Sequence, residues 1–429
     1  MHPFALWLAL SICAPCVRAH MDFLASDTLR GRGSATTDEH VAAIYIESQF
    51  EQDGLETQLQ TVTLRQPELA SLPALEFNNT VWTHGKEILV FDPVTRPVEG
   101  PLQKISGDQH ANKGAVVYAN PPNVEKLVAL FKDGAAAVIL PTREATLARW
   151  KDLSAMPRLT PIVVGAEPLN PRSETIRISP EAMPQLEALP DGTTIRLRSE
   201  LKGVTERTTI NVIGILRGRE PDAILLTAHY DHLGVGAPRE GDAIFNGADD
   251  DASGTTAVLE LARTLSAGPK PKRTIAFVLF GSEELGALGA SYFREHPSLP
   301  LERIVANLEF EMIGTQDPKL DPGAMLLTGW ERSNFGPTLR DHGAKIAPDP
   351  RPQENLFRRS DNYALALKGV VAHTTGSSPS TVPFYHRQDD DLQHVDFNFM
   401  TAAIDSLVEP IRWLANSDFK PAWNPGGQP

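Results

Sequence analysis

Cysteine is almost missing from this chain. There are two among 429 residues, Cys13 and Cys16. Both lie in the opening segment MHPFALWLALSICAPCVRAH, whose apolar run from Phe4 to Val17 is too short to span a bilayer. The run ends in the small-x-small pattern Val17-Arg18-Ala19, so residues 1–19 read as a secretory signal. Only His2 and the amino terminus supply positive charge ahead of it, and a non-spanning anchor is the alternative. On the signal reading the exported chain, secreted or periplasmic, has no cysteine. It then has no disulfide and no thiol nucleophile, and any metal site must use His, Asp and Glu. No later segment is apolar enough to cross a membrane. Positive charge is also scarce: 40 Lys and Arg against 54 Asp and Glu, a net charge of −14. That balance excludes sequence-independent binding of nucleic acid, which needs cations against phosphates. There is no G-x-S-x-G elbow, no H-E-x-x-H, no P-loop and no G-x-G-x-x-G after a strand. Internal repeats and low-complexity runs are absent too.

What remains is an ordinary globular composition, 41% hydrophobic and 22% charged, long enough for two or three domains. DEHVAAIYIESQFEQDGLE has helical spacing and stops at Gly54. Residues 63–110 are Pro-rich and irregular. GAVVYAN, VEKLVALFKDG and AAAVIL then read as strand, helix and strand, a small α/β module. From 203 the units lengthen. AILLTAHYDHLG, RTIAFVLFGSEE, IVANLEFEMIG, AMLLTG and KGVVAHTTG read as strands, TTAVLELARTL and FNFMTAAIDSLVEPIRWLANS as helices. The alternation predicts a three-layer α/β fold, a mostly parallel sheet flanked by helices, with a smaller α/β or β-rich domain inserted. The expected division is 20–62 with 203–420, an insert over 63–202, and a tail over 421–429.

Parallel sheets gather their sites beyond the carboxyl ends of the strands, and there the polar residues cluster. His229-Tyr230-Asp231-His232 follows one strand, Ser282-Glu283-Glu284 another, Glu311 a third, and Tyr385-His386 follows VPF. IFNGADDDASGT sets Asp249, Asp250 and Asp251 side by side before a helix. His and carboxylates without Cys suit Zn²⁺, Mn²⁺ or Co²⁺ in a hydrolytic site. Each piece also has a structural reading. A lone His229 is ordinarily a hydrogen-bonded rim histidine, although Asp231 could accept its second N–H. Asp251 and Ser253 could cap the following helix. Glu283 and Glu284 could face solvent in a first helical turn, and His386 could sit in a surface loop. RQDDDLQHVD reads as a solvated run, and Asn78-Asn79-Thr80 is a glycosylation sequon. The joint occurrence, each piece at a strand end, favours the site.

The order His-x-Asp, G-A-D-D-D-A-S-G, S-E-E-x-G, an acid before Met-Ile-Gly, and Tyr-His resembles the secreted di-zinc aminopeptidases of peptidase family M28, which also holds enzymes of the glutamate carboxypeptidase II type. The likeness covers about 203–415, with FLASDTLRGRGSATTDEH resembling the family's N-terminal helical region. KGAVVYAN and FKDGAAAVILP resemble a protease-associated domain. The resemblance implies two zinc ions. His229 and His386 would each bind one, with Asp250 bridging, Glu284 and Glu311 as terminal ligands and Glu283 as general base. It also implies a supporting Asp251 behind a cis peptide, Asp231 behind His229, an oxyanion contact from Tyr385, and Asp361 of RSDNYA near the pocket. Asp249 is left solvated. Two departures stand out: Glu311 where the family usually has Asp, with Glu309 a rival on the same strand face, and Asn362 where His is common. The implied activity is aminopeptidase cleavage of peptide substrates. The alternatives are a carboxypeptidase or dipeptidase, a glutaminyl cyclase, or a non-catalytic binding relative. The oligomeric state is not read from the sequence.

Overall fold

The computed structural model describes residues 11–429 apart from 92–97, 122, 156, 158, 160 and 166–173. The chain divides into two compact units. One comprises Met1–Leu64, Val163–Leu169 and Arg207–Pro429, the other Arg65–Ile162 and Asn170–Glu206.

The larger unit is built on a nine-stranded sheet. Its strands are β1 (Glu56–Leu69), β2 (Ile162–Val163), β3 (Leu201–Leu216), β4 (Ala223–His229), β5 (Thr274–Phe280), β6 (Ile304–Glu311), β7 (Met325–Leu327), β8 (Ile346–Pro348) and β9 (Ala372–Gly376), in the order β8-β7-β9-β6-β4-β5-β3-β1-β2. The four central strands β5, β4, β6 and β9 run parallel. Antiparallel pairs β3/β5 and β7/β9 flank them. Parallel strands buried on both faces need apolar side chains pointing both ways, and the core shows it. Ile224, Leu226 and Ala228 with Ile275, Phe277 and Leu279 pack on one face, against helices α1 (Ala14–Leu24), α2 (Thr37–Gln52), α3 (Gly254–Ser266) and the C-terminal helix Phe397–Asn416. Leu225 with Ala276, Val278 and Phe280 packs on the other, against the helices Leu288–Glu295 and Asn362–Ala366. This is the expected three-layer architecture.

The register decides where the site falls. His229 pairs with Phe280, Thr227 with Glu309, and Glu311 with Gly376. The carboxyl ends of β4, β5, β6 and β9 are therefore level, and the polar sequences that follow them converge.

Three expectations meet the structure. A break after Ala19 would fall inside α1, where Val17, Met21 and Leu24 are buried in the core, each worth about 1.5–3 kcal/mol. The Ile12 N–H donates to Asp405 Oδ1 at 3.0 Å and the Cys13 N–H to Glu260 Oε2 at 2.9 Å. Cys13 and Cys16 are joined by a disulfide at the start of α1. A short apolar run reads alike as a signal core and as the inner face of a helix, and only the partner surface separates them. Second, the region from 63 to 110 is largely strand: β1, then Ala74–Phe77, Thr80–Thr83, Ile88–Val90 and Val98–Lys104. Short strands joined by tight turns leave little periodicity to detect; Asn78 of the sequon sits in one such turn at φ 50°. Third, the expected tail is tied down: Trp423 Nε1 donates to Gly369 O, and the Asn424 N–H to Arg332 O.

The smaller unit is an eight-stranded mixed sheet. Its order runs Thr80–Thr83, Ala74–Phe77, Thr194–Arg198, Val98–Lys104, Val116–Tyr118, Ala137–Pro141, Thr175–Ile178, Ile88–Val90. The helix Val124–Lys132 connects Val116–Tyr118 to the parallel Ala137–Pro141.

Candidate metal centre

The aspartate loop comes first, because it poses the charge problem. Residues 248–253 form an irregular buried turn ahead of α3, with the Asp250–Asp251 peptide cis. Asp249 is not solvated as expected: it is buried, and its carboxylate accepts the Gly314 N–H at 2.7 Å and the Thr315 hydroxyl. Burial, with Asp390 adding to it, pushes Asp249 up to about 8. Asp251 Oδ1 accepts the N–H groups of Gly254 and Met312, both at 3.0 Å. It thus caps α3 and anchors the end of β6 together. A Cβ on Gly254 would lie 2.5 Å from both Asp251 carboxylate oxygens, so only glycine permits this cap.

Asp390, inside the run read as solvated, holds the loop from the other side. It is 1% exposed, and its two carboxylate oxygens accept the N–H groups of Asp249 at 2.8 Å and Asp250 at 3.1 Å. The signal available was an acidic triplet directly after Tyr385-His386, but charge runs are usually solvated and sequence does not show which member turns inward. Asp390→Asn keeps the size and loses one of two acceptors. It should cost about 1.5–3 kcal/mol and weaken zinc binding roughly 10–100-fold, read by chelator competition; unchanged affinity would deny Asp390 its anchoring role.

Arg32 is the second buried support that sequence reading passed over. Its guanidinium donates to the carbonyls of Tyr230 (2.8 Å), Asn246 (2.7 Å), Gly247 (2.9 Å) and Leu24. It thereby ties α1, the end of β4 and the aspartate loop to one planar fork.

Asp250 lies at the middle. Its Oδ1 is 3.3 Å from His229 Nε2, and its Oδ2 is 3.2 Å from His386 Nε2 and 3.9 Å from His232 Nδ1. Glu311 Oε1 stands 3.8 Å from His229 Nε2, while Glu284 is 2.8 Å from His232 and 3.3 Å from His386. Two groups result, His229-Asp250-Glu311 and His232-Asp250-Glu284, with the donor atoms of each within 4.8 Å of one another. Asp250 gives one oxygen to each. Burial alone would raise Asp250, but His232, His229 and His386 outweigh it and hold it well below the carboxylate range. Burial would lower His386, yet Asp250 and Glu284 bring it up to about 10. The carboxylates demand positive charge, which a proton or a divalent cation can supply. His229 Nε2, Asp250 Oδ1, Glu284 Oε1 and both ring nitrogens of His232 are buried without a hydrogen-bond partner. Buried polar atoms of this kind are rare unless something else engages them. An N/O donor set of this type fits zinc.

The remaining residues surround that centre. Asp231 stands behind His229: His229 Nδ1 meets the Asp231 backbone carbonyl at 3.2 Å and lies 3.6 Å from its carboxylate Oδ1. The same carboxylate accepts the N–H groups of Glu283 (2.8 Å) and Glu284 (3.3 Å), fixing that turn. Glu39 of α2 secures the turn one residue earlier, accepting the Ser282 N–H at 2.9 Å. Burial first, then Glu311, Glu284 and Asp361, raises Glu283 well above the usual range against the opposing pull of His229. Glu309 turns away from the two groups, accepting the Asn362 N–H and the Thr374 hydroxyl. Asp361 is buried with both oxygens unpartnered, in the field of Glu309, His229, Glu311 and Asp231. Tyr385 stacks on His386 at 3.9 Å. With Glu311, Tyr385 also lines a small open pocket walled by Leu326, Leu356 and Pro379, with Arg359 on its wall.

Known proteins resemble this chain in sequence and in fold. The chain is 29% identical over 230 residues to aminopeptidase YwaD of Bacillus subtilis (strain 168), covering 52% of this chain and 48% of that protein. It thus spans about half the length of that relative. Its fold is similar to that of an aminopeptidase from Aneurinibacillus sp. strain AM-1 (20% identity, 94% of both chains, TM-score 0.61). It is likewise similar to BSAP, a zinc aminopeptidase from Bacillus subtilis (20% identity, 95% of this chain and 97% of that one, TM-score 0.56). Residues 211–409, a little under half of the chain, match peptidase family M28.

Proposed function

We propose that the larger unit is a two-zinc exopeptidase, an aminopeptidase that removes N-terminal residues from peptides. The observation that carries this reading is Asp250, which offers one carboxylate oxygen to each of two His/carboxylate groups beside a Glu held in a fixed turn. His229, Asp250 and Glu311 would hold one ion, and His386, Asp250 and Glu284 the other. When bound, the pair supplies Lewis acidity toward the scissile carbonyl and lowers the pKa of water to near neutrality. Glu283 takes the proton of the attacking water and delivers it to the leaving amine. Tyr385 donates its hydroxyl to the developing oxyanion; burial and the Asp250, Glu284 and Glu311 carboxylates raise that hydroxyl, keeping it protonated and able to donate. Glu311 at the cavity, with Asp361 near it, supplies negative charge toward a free α-ammonium. The apolar wall of Leu326, Leu356 and Pro379 receives the terminal side chain. The names of the similar proteins, aminopeptidase and zinc aminopeptidase, support the same assignment.

Arg359 favours a second reading. A guanidinium on the cavity wall would bind a C-terminal carboxylate, making the enzyme a carboxypeptidase. Aminoacyl chromogens, N-acetylated peptides and C-amidated peptides, each with and without a zinc chelator, separate the two. The expected result is cleavage only where the amino terminus is free, lost on the order of 10³-fold on chelation and restored by Zn²⁺. Cleavage of N-acetylated peptides with a free carboxylate selects the carboxypeptidase. Full activity in chelator overturns both. The strand–helix–strand of the smaller unit supports a protease-associated domain, and the Cys13–Cys16 disulfide supports an exported protein, since such bonds persist in oxidising compartments. Among the described residues no helix is long and apolar enough to cross a membrane.

A further inference from the structure

His232 stands outside the ligand set implied by the family resemblance, yet the structure gives it no other occupation. It is fully buried, and neither Nδ1 nor Nε2 has a hydrogen-bond partner. A buried imidazole left in that condition forfeits its hydration with no return. Its nearest polar neighbours are carboxylates: Nδ1 lies 2.8 Å from Glu284 Oε1 and 3.9 Å from Asp250 Oδ2. The close pair does not align as a hydrogen bond, and Glu284 Oε1 is also unpartnered. A ring nitrogen of His232, an Asp250 oxygen and a Glu284 oxygen lie within 4.8 Å of one another, the spacing of ligands around a cation.

The backbone holds the ring there. The His232 N–H donates to Arg32 O at 3.1 Å, and its carbonyl accepts the Ser34 N–H at 3.2 Å. On the ring's flank Gly247 has φ 59°, and a Cβ on it would sit 2.5 Å from His232 Cγ. The His386 ring meets His232 edge-on, with centroids 5.8 Å apart. Both histidines address the same two carboxylates.

We infer that His232 is a direct ligand of the second ion, which would then have four protein ligands: His232, His386, Asp250 and Glu284. This rests on the two-zinc reading above. The ion at His229, Asp250 and Glu311 has three protein ligands. Zinc with four protein ligands is typical of structural sites, and zinc with three leaves a position for solvent or substrate. The centre is therefore unequal: the open position lies on the His229 side, next to the Glu311 cavity, and the His232 side binds zinc more tightly and exchanges it more slowly.

The test uses the full chain. His232→Ala removes the ring, and His232→Phe keeps a ring of similar size without a ligating atom. Circular dichroism and melting of the metal-free forms establish that the variants fold, and whichever folds carries the measurement. Bound zinc per chain, zinc affinity by competition with a chromogenic chelator, and the visible spectrum after Co²⁺ loading are then compared with wild type. Wild type should hold two ions with distinct affinities. The variants should lose the tighter class by at least ~100-fold, beyond the 10–100-fold typical of an outer-shell partner, with a changed cobalt spectrum. His232→Cys, which restores a ligating atom, should regain it. If a folded variant keeps two ions at wild-type affinity with an unchanged spectrum, His232 is not a ligand, while the two-zinc reading stands. If wild type itself takes at most one ion, both are overturned.

Discussion

Glu283→Gln should lower kcat by about 10²–10⁴-fold, the usual contribution of a positioned general base, while zinc content and KM stay close to wild type. The substitution keeps size and hydrogen-bonding capacity but removes the ability to carry a proton. The carboxyl is placed by its own backbone: the Glu283 and Glu284 N–H groups donate to Asp231, and the Ser282 N–H and hydroxyl donate to Glu39. None of these bonds involves the Glu283 side chain, so the turn should survive the change and Glu284 should stay in place. The environment raises Glu283 through burial first and then through Glu311, Glu284 and Asp361, which suits a group that must accept and return a proton. Steady-state kinetics with elemental analysis of the same preparation decide the matter. A variant with full zinc and near-wild-type kcat would remove Glu283 from the proton path. A variant that loses zinc would show that the side chain holds the centre rather than serving it.

Arg32→Leu should have the largest effect on stability. The guanidinium is wholly buried and donates to four backbone carbonyls on three separate segments. Leucine leaves those carbonyls facing apolar carbon, and removes a positive charge that interacts with Asp390, Asp231, Asp250 and Asp251. Removing one side of a buried charged network costs about 3–5 kcal/mol, on the order of 6–15 °C in melting temperature for a unit of this size. Arg32→Lys should recover little, since an ammonium cannot reach the same carbonyls with a planar fork. Calorimetry of the zinc-loaded chain is the measurement. A shift below ~2 °C for Arg32→Leu would mean that the loop is held without it.

The parts read from sequence and the parts decided by folding differ in kind. Apolar runs ending in His229 and Gly281 mark two central strands, because a strand buried on both faces is largely apolar. Polar residues placed directly after such runs mark the site, because chain direction alone carries them to the carboxyl edge of a parallel sheet. So the three-layer class, and His229, Asp250, Glu283, Glu284, Glu311 and His386 as one neighbourhood, were legible in the order of residues. Contacts distant in sequence were not. Asp390 meets the aspartate loop across 140 residues, and Arg32 meets Gly247 across 215; nothing local distinguishes these two from solvated charges. Asp249 was misread for the same reason, since its partners Gly314 and Thr315 lie on another strand end. The opening segment shows the limit most clearly. α1 packs where α3 and the C-terminal helix supply Glu260, Asp405 and an apolar face, a burial that the apolar run by itself does not show. The sequence by itself determined which groups could bind metal. The tertiary structure decided which of them face one another, because a buried charge is tolerated only where the fold brings its counter-charge or its hydrogen bonds within reach.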